Sequence, residues 1–118
     1  MSELKEIKEL EMLIANWAEE KGLLKPEFAP KQFMKIQEEL GELASAIIKE
    51  DIDKEIDSIG DLLVTIIILA YQRNISLKYA LNVAYNEIKD RKGKMFGGSF
   101  IKETDCVDYD EDCIACGA

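Results

Sequence analysis

Five acidic residues in the middle of the chain have the spacing of neighbours on a helix surface. Glu38, Glu39 and Glu42 lie in the segment KIQEELGELA, and Asp57 and Asp61 bound the segment DSIGD. Residues three or four positions apart lie side by side on an α-helix, so each group brings its carboxylates together. Like charges at this spacing repel one another unless a cation lies between them. The pattern therefore indicates either a cation site or a solvated acidic surface.

Asp61 and two glycines favour the site over the solvated surface. The helical face of Asp61 continues through Thr65 and Ile68 into an apolar segment, where a carboxylate without a partner is costly. Gly41 and Gly60 lie beside the acids, inside predicted helices, where glycine costs about 1 kcal/mol relative to alanine. These glycines predict either tight packing between helices or open room for a ligand beside the carboxylates.

The composition narrows the chemistry of such a site. The chain has 118 residues, 24 acidic and 15 basic, a net charge of −9 and no histidine. Carboxylate oxygens then favour a hard cation, Mg²⁺ with Mn²⁺ as a substitute. Cations held between two acidic helices can bridge phosphate oxygens and lower the pKa of an attacking water. The acidic charge argues against a nucleic-acid partner, which needs clustered Lys and Arg.

Four helices must position these acids. Apolar residues recur at helical spacing, and we expect helices over the ranges 3–21, 31–50, 51–73 and 77–92. Gly22 and Asn74 are expected to end the first and third helices. Asp51 or Asp53 is the predicted cap of the third helix, and Ser76 that of the fourth. In the fourth helix we expect a buried face made by Leu77, Ala80, Leu81, Ala84, Tyr85 and Ile88.

The third helix also predicts self-association. Its second half, Leu62 to Tyr71, is apolar nearly all round, yet it is about half as long as a membrane span, so we expect no membrane partner. Enclosing this segment on every side is difficult in a short chain without a second subunit. We therefore expect a homodimer or homotetramer. The first residues lack the layout of a secretory signal, which predicts a cytoplasmic location.

The C-terminal part of the sequence predicts a hairpin and an acidic tail instead of a further helix. The segment MFGGSFI at 95–101 predicts a short hairpin with a Gly-Gly turn. We expect one domain over 1–103 and a loose acidic tail over 104–118. That tail holds all three cysteines, an odd number that argues against a disulfide framework: Cys106, Cys113 and Cys116.

In their order and spacing, the acidic motifs resemble those of the MazG-like nucleoside triphosphate pyrophosphohydrolases, an all-α superfamily. That family carries Glu-x-x-Glu on one helix and Glu-x-x-Asp on the next. Glu39 and Glu42 match the first motif. Asp61 matches the end of the second, but Ser58 stands where the family has Glu, so Asp57 is the candidate for the missing role. The resemblance implies an oligomerising, four-helix bundle-like all-α fold, with Mg²⁺ held by Glu39, Glu42, Asp57 and Asp61.

Further roles follow from the same resemblance. Glu38 and Glu39 are the candidate catalytic residues, Glu38 as a metal ligand or as the group that orients the attacking water. The segment YNEIKDRKG resembles the phosphate-contacting end of the family's last helix, and Trp17 is placed to stack on a nucleobase. The candidate substrate-binding residues are Asn86, Lys89, Arg91, Lys92, Trp17, Gln32 and Lys35. Each also has a simpler interpretation. The residues of YNEIKDRKG could be an ordinary basic helix end, Trp17 a core residue, and Gln32 and Lys35 a solvated flank.

The implied reaction is Mg²⁺-dependent hydrolysis of a nucleoside or deoxynucleoside triphosphate to its monophosphate and pyrophosphate. Its role would be control of a nucleotide pool or removal of aberrant nucleotides. The short form resembles versions carried by bacteriophages, in which case the host cytoplasm is the expected location. Two alternatives stay open: a non-catalytic helical interaction protein, and a hydrolase of another pyrophosphate such as phosphoribosyl-ATP. The sequence leaves base and sugar preference open.

Overall fold

Four α-helices and one β-hairpin make up the described part of the chain. The computed structural model describes residues 3–105. The helices are α1, Ile7–Glu20; α2, Ala29–Ile48; α3, Ile52–Gln72; and α4, Leu77–Ile88. The antiparallel strands are β1, Gly93–Phe96, and β2, Ser99–Lys102, with short 3₁₀ turns at Pro26–Phe28 and Glu103–Asp105. The predicted all-α class and the C-terminal hairpin are confirmed.

The helix bounds differ from the predicted ones by two or more residues at four ends, one of which is the C-terminus of α2, at Ile48 instead of residue 50. α1 begins at Ile7, four residues later than predicted, and α2 begins earlier, at Ala29. Pro30 lies in the first turn of α2, where the missing N–H of proline costs nothing because that position has no partner in the helix. α4 ends at Ile88, before the basic residues that we expected on its last turn, because the chain turns there toward β1.

α1, α2 and α3 show the same arrangement at their C-termini. Each ends in a residue with left-handed backbone angles, and the next N–H donates to a carbonyl five residues earlier, which is the Schellman arrangement. The left-handed residues are Gly22 (φ 73°), Glu50 (φ 54°) and Asn74 (φ 55°). This confirms Gly22 and Asn74 as helix ends. The Asp51 side chain caps α3, accepting a hydrogen bond from the Lys54 N–H at 3.2 Å, which settles the choice between Asp51 and Asp53.

The chain divides after Leu77 into two compact units. In the first unit α3 packs against α2 along most of its length and against α1 more briefly. Contacts pair the start of α2 with the end of α3, as in the hydrogen bond from Gln32 to Thr65, so the two helices run antiparallel. The buried apolar core of this unit consists of small and β-branched side chains: Ala15, Ala18, Ile36, Ala46, Ile67 and Ile68.

α3 has two contrasting faces. Thr65 and Ile68 are buried on the face toward the neighbouring helices. A continuous apolar stripe on the opposite face is 45–66% exposed and consists of Ile52, Ile56, Ile59 and Leu63. Within Leu62 to Tyr71, the segment predicted to need enclosure, Leu63 and Tyr71 are exposed in the single chain, and enclosure by a second copy stays a prediction. Among the described residues, no helix combines the length and apolar character that a bilayer span requires.

The second unit contains α4 from Lys78 onward and the hairpin. No residue of α4 is buried, so the predicted buried face of Leu77, Ala80, Leu81, Ala84, Tyr85 and Ile88 is wrong for the single chain. Helical spacing determines which side chains share a face, but it does not determine whether another element covers that face. In the hairpin Ile101 is buried, and a side chain at Gly93 would clash with the carbonyl oxygen of Ile101. Glycine is therefore required where β1 begins.

Candidate active site

Glu39 is the most strongly perturbed acid of the predicted site. It lies on α2 and is only 6% exposed. Burial raises the pKa of Glu39 above its ordinary value of 4.5, and a hydrogen bond with Glu42, the charge of Glu42 and the charge of Asp61 raise it further. Lys35 acts in the opposite direction. The antiparallel packing of α2 on α3 therefore places Glu39 close enough to Glu42 and Asp61 for their charges to act on it.

One oxygen of Glu39 is available to a ligand. Oε1 lies 3.9 Å from the Lys35 ammonium, whereas the buried Oε2 has no hydrogen-bond partner. A buried carboxylate oxygen without a partner costs free energy unless a cation or a donor binds it. Among the described residues, no group of three or more acidic or Cys side chains stands ready to hold a metal ion. The oxygen donors thus suit Mg²⁺ in their chemistry, but they do not form a closed coordination shell.

Lys35 lies within ion-pair distance of two acids of α2, the buried Glu39 and the exposed Glu38. Its ammonium lies 3.6 Å from Glu38 Oε2, and both of these side chains are more than half exposed. Glu38 therefore lies at the surface beside Lys35, and it does not line the pocket described below. The proposed role of Glu38 toward the attacking water stays a prediction.

Asp57 lies in a second, polar pocket. This pocket has a volume of about 350 Å³ and is lined by Glu42, Asp57, Ser58 and the lysines Lys49 and Lys54, among others. Ser58, at the position where the family motif has Glu, is buried. Glu42 lines the second pocket, while Glu39 and Asp61 line the main one. Asp57 and Asp61 are one turn apart on α3 but line different pockets, and the role of Asp57 as a fourth ligand stays a prediction.

The main pocket of the first unit has a volume of about 670 Å³. This volume lies within the range of small-molecule sites. Five residues singled out from the sequence line it together: Trp17, Gln32, Lys35, Glu39 and Asp61. Sequence reasoning did not assign a site role to the remaining lining residues, which are Leu23, Phe28, Lys31, Val64, Thr65, Ile68 and Gln72.

Two of these omissions had a detectable signal. Lys31 lies one helical turn before Lys35, on the same face of α2. Gln72 continues the face of Asp61, Thr65 and Ile68 at alternating steps of four and three, and it is a polar residue at the end of an apolar helix. Extending that face by one step would have identified it.

Side-chain amides connect the walls of the main pocket. Gln32 Nε2 donates to the Thr65 carbonyl at 3.0 Å, which joins α2 to α3. Gln72 Nε2 donates to the Leu23 carbonyl at 2.9 Å, which joins α3 to the loop after α1. The Thr65 hydroxyl donates to the Leu62 carbonyl at 2.7 Å, within α3. These bonds fix the backbone on which the pocket is built.

Gly41 and Gly60 adjoin open space. A Cβ atom added at either glycine would meet no heavy atom within 4 Å outside its own stretch of helix. Neither glycine is tightly packed against another helix within the single chain. Open room next to Glu42 and Asp61 agrees with the alternative that a ligand occupies this space.

The predicted phosphate-contacting residues belong to the second unit. Asn86 lies on α4, and Lys89 follows the end of that helix. Arg91 and Lys92 line a pocket of about 420 Å³ within this unit, together with Lys102 and three acids. Their contact with a substrate stays a prediction.

Comparison with known proteins identifies the family. A model of the MazG nucleotide pyrophosphohydrolase domain matches residues 28–96, the range that contains the acidic helices α2 and α3. An uncharacterised 18.2 kDa protein of the rep–hol intergenic region of Haemophilus phage HP1 is 44% identical over 70 residues, which cover 57% of this chain and 43% of the phage protein. The chain thus matches less than half the length of that relative. No solved structure matches. Since the family match covers more than half of the chain, the protein belongs to the MazG nucleotide pyrophosphohydrolase family.

Proposed function

We propose that the protein hydrolyses nucleoside or deoxynucleoside triphosphates to monophosphates and pyrophosphate in the presence of Mg²⁺. One observation supports this most directly. Glu39 is buried with an unpartnered oxygen, its pKa is raised by the nearby Glu42 and Asp61, and it lines a pocket of nucleotide size. A purely structural surface would not bury an acid among other acids. In a chain of this family, such a cluster is best explained as a metal and phosphate site.

The proposed metal ligands are Glu39, Glu42 and Asp61, with help from Asp57, and Mn²⁺ is expected to substitute for Mg²⁺. When bound, the metal would neutralise phosphate charge and lower the pKa of the attacking water. Glu38 would then orient that water or accept its proton.

The remaining side chains would bind the nucleotide. Lys35 and Lys31 line the pocket beside Glu39 and carry the charge that phosphate oxygens need. Trp17 lines the same pocket and offers a flat face for the base, with Gln32 beside it. From the second unit we propose phosphate contacts by Asn86, Lys89, Arg91 and Lys92. The biological role would be control of a nucleotide pool or removal of aberrant nucleotides.

We also propose the wider setting of this activity. The catalytic domain would comprise 1–103, and the segment 104–118 would lie outside it; the predicted looseness of that segment and its three cysteines lie outside the described residues. The active form would be a homodimer or homotetramer, because the apolar stripe of α3 is exposed in the single chain. It would act in the cytoplasm, where its nucleotide substrates are, without a nucleic-acid or membrane partner.

The direct test is turnover of the eight common NTPs and dNTPs with Mg²⁺, with pyrophosphate resolved from orthophosphate. We expect pyrophosphate and monophosphate, abolished by EDTA and reduced by about a hundredfold or more in Glu42→Gln and Asp61→Asn, since each variant removes charge from the metal site. Asp53→Asn, an exposed acid on the same helix, is the matched control and should keep full turnover.

The same variants separate the rival functions. If the acids are only a solvated face, Glu42→Gln and Asp61→Asn should be neutral or more stable, and neither they nor the wild type should turn over any triphosphate or gain thermal stability from Mg²⁺. Full turnover in both variants would show that the proposed site is wrong. Hydrolysis of phosphoribosyl-ATP in preference to every common triphosphate would favour the other pyrophosphate substrate.

A further inference from the structure

We propose that Gln72 makes the main pocket select cytosine and adenine over uracil and hypoxanthine, the bases that carry a keto oxygen where cytosine and adenine carry an amine. This inference rests on the proposed function insofar as it takes the pocket to bind nucleotides. It adds what neither the family nor the acidic motifs specify, which is the class of base.

The orientation of the Gln72 amide is fixed by its neighbour. The Leu23 backbone carbonyl can only accept a hydrogen bond, and it lies 2.9 Å from Gln72 Nε2. The amide nitrogen must therefore face Leu23, and the amide oxygen must face away from it. That oxygen, Oε1, is buried and has no hydrogen-bond partner, in a side chain that is 4% exposed. An acceptor in this state lowers the stability of the empty protein until a donor binds it.

Gln72 lies at the opposite end of the pocket from the acids. Asp61 and Gln72 share one face of α3 and are eleven residues apart, which places them roughly 16 Å apart along the helix axis. Polyphosphate belongs beside Asp61 and Glu39, where a cation would sit. A nucleotide lying along α3 then points its base toward Gln72 and the neighbouring aromatic residue Trp17.

The free oxygen distinguishes amino from keto bases. Cytosine and adenine carry an amine, which donates, at the ring position where uracil and hypoxanthine carry an oxygen, which only accepts. An amine directed at Gln72 Oε1 forms the missing hydrogen bond. A keto oxygen in the same place puts two acceptors against each other, and the amide cannot turn over without breaking its bond to Leu23. Sites built to satisfy one polar group reject the analogue that lacks it.

The chain carries its own probe for this test. Trp17 is the single tryptophan of the protein, and it lines the pocket. Binding of nucleoside monophosphates can therefore be followed by quenching of its fluorescence, without metal and without turnover. The informative pairs are CMP against UMP and AMP against IMP, since each pair differs by the exchange of amine for oxygen.

In the wild type we expect CMP to bind about tenfold more tightly than UMP, and AMP about tenfold more tightly than IMP, the effect of one hydrogen bond made or opposed. In Gln72→Met, which keeps side-chain length but removes the amide, both ratios should fall to near one, mainly through weaker binding of the amino bases. Gln37→Met is the matched control. It removes an exposed amide of α2 that does not line the pocket, and it should leave both ratios unchanged.

Equal or reversed ratios in the wild type would overturn the inference, whether or not Gln72→Met folds. Ratios that persist in a folded Gln72→Met would overturn it as well, because another group would then select the base. The hydrolase proposal fails separately. Selective binding of CMP and AMP without hydrolysis of any triphosphate would support the base site and contradict the proposed reaction. Hydrolysis of all the triphosphates with equal kcat/KM would support the reaction and contradict base selection.

Discussion

Glu39 illustrates how a single carboxyl can be held in an unfavourable state by its surroundings. Burial and the adjacent acids Glu42 and Asp61 all oppose its ionisation, and Lys35 offsets them only in part. The family motif predicted that Glu39 and Asp61 would be close. It could not predict that one oxygen would be left without a partner, because that depends on how neighbouring side chains fill the space between two helices.

The raised pKa of Glu39 predicts how stability depends on pH. Between its ordinary pKa of 4.5 and its raised folded-state pKa, the folded protein holds a proton that the unfolded chain has lost. The free energy of unfolding therefore falls as pH rises through this window. Glu39→Gln cannot ionise, so in EDTA it should be more stable than the wild type above the window, and the difference should shrink toward pH 4.5.

Urea unfolding of both proteins at a series of pH values measures this difference. Glu20→Gln, which removes an exposed acid at the end of α1, is the control and should show no comparable trend. With Mg²⁺ the order should reverse, because only the wild type has the full set of ligands to gain stability from the ion. A gap between Glu39→Gln and the wild type that stays constant with pH would contradict the assignment of the raised pKa.

At the residue scale, the sequence could place side chains relative to one another where a motif fixes spacing along one helix, while their roles stay predictions. Glu39, Asp61, Gln32 and Lys35 line one pocket because helical periodicity and antiparallel pairing suffice to place them. The helical face of Asp61 could have placed Gln72 in the pocket, but not its hydrogen bond to Leu23, a loop residue far away in sequence.

At the scale of elements, residues with left-handed backbone angles determine where α1, α2 and α3 end. Gly22 adopts φ 73° without strain, whereas Glu50 adopts φ 54° with a Cβ atom in close approach to the backbone. The sequence predicted the ends at Gly22 and Asn74, because glycine and asparagine favour this conformation. It placed Glu50 inside α2, because nothing in the residue type marks a left-handed glutamate.

These ends yield a matched pair of substitutions. Glu50→Gly should raise the free energy of unfolding by about 1 kcal/mol, since it removes the left-handed strain at the end of α2. Gly22→Ala should lower it by a similar amount, since it introduces that strain at the end of α1. Chemical denaturation measures both. Destabilisation by Glu50→Gly would show that the Glu50 side chain contributes more than its backbone strain costs.

At the scale of the whole molecule, the apolar stripe of α3 predicts self-association. Ile52, Ile56, Ile59 and Leu63 share the face opposite Asp61 and are 45–66% exposed in the single chain. Apolar periodicity predicted the four helices and their class. It could not separate a face covered by the chain itself from one left for a second copy, because both have the same pattern of residues.

Leu63→Arg tests this prediction. A charge at the C-terminal end of the stripe should convert the oligomer into a monomer, or weaken self-association by at least tenfold, while the helix content is kept. Light scattering after size exclusion measures the mass. Met12→Arg changes an equally exposed apolar residue on α1 and should leave the mass unchanged. A wild type that is monomeric at all concentrations would remove the basis of the prediction.

The unpartnered oxygens of Glu39 and Gln72 also bear on the lifetime of the protein in a cell. Neither atom has a hydrogen-bond partner in the empty pocket, and in the proposed function both would gain one when the site is filled. Proteases act on the transiently unfolded population, which shrinks when a ligand binds the folded state. The proposed site therefore predicts that a molecule with an empty pocket is degraded faster than a filled one, so that the abundance of the protein would rise with the supply of its ligands.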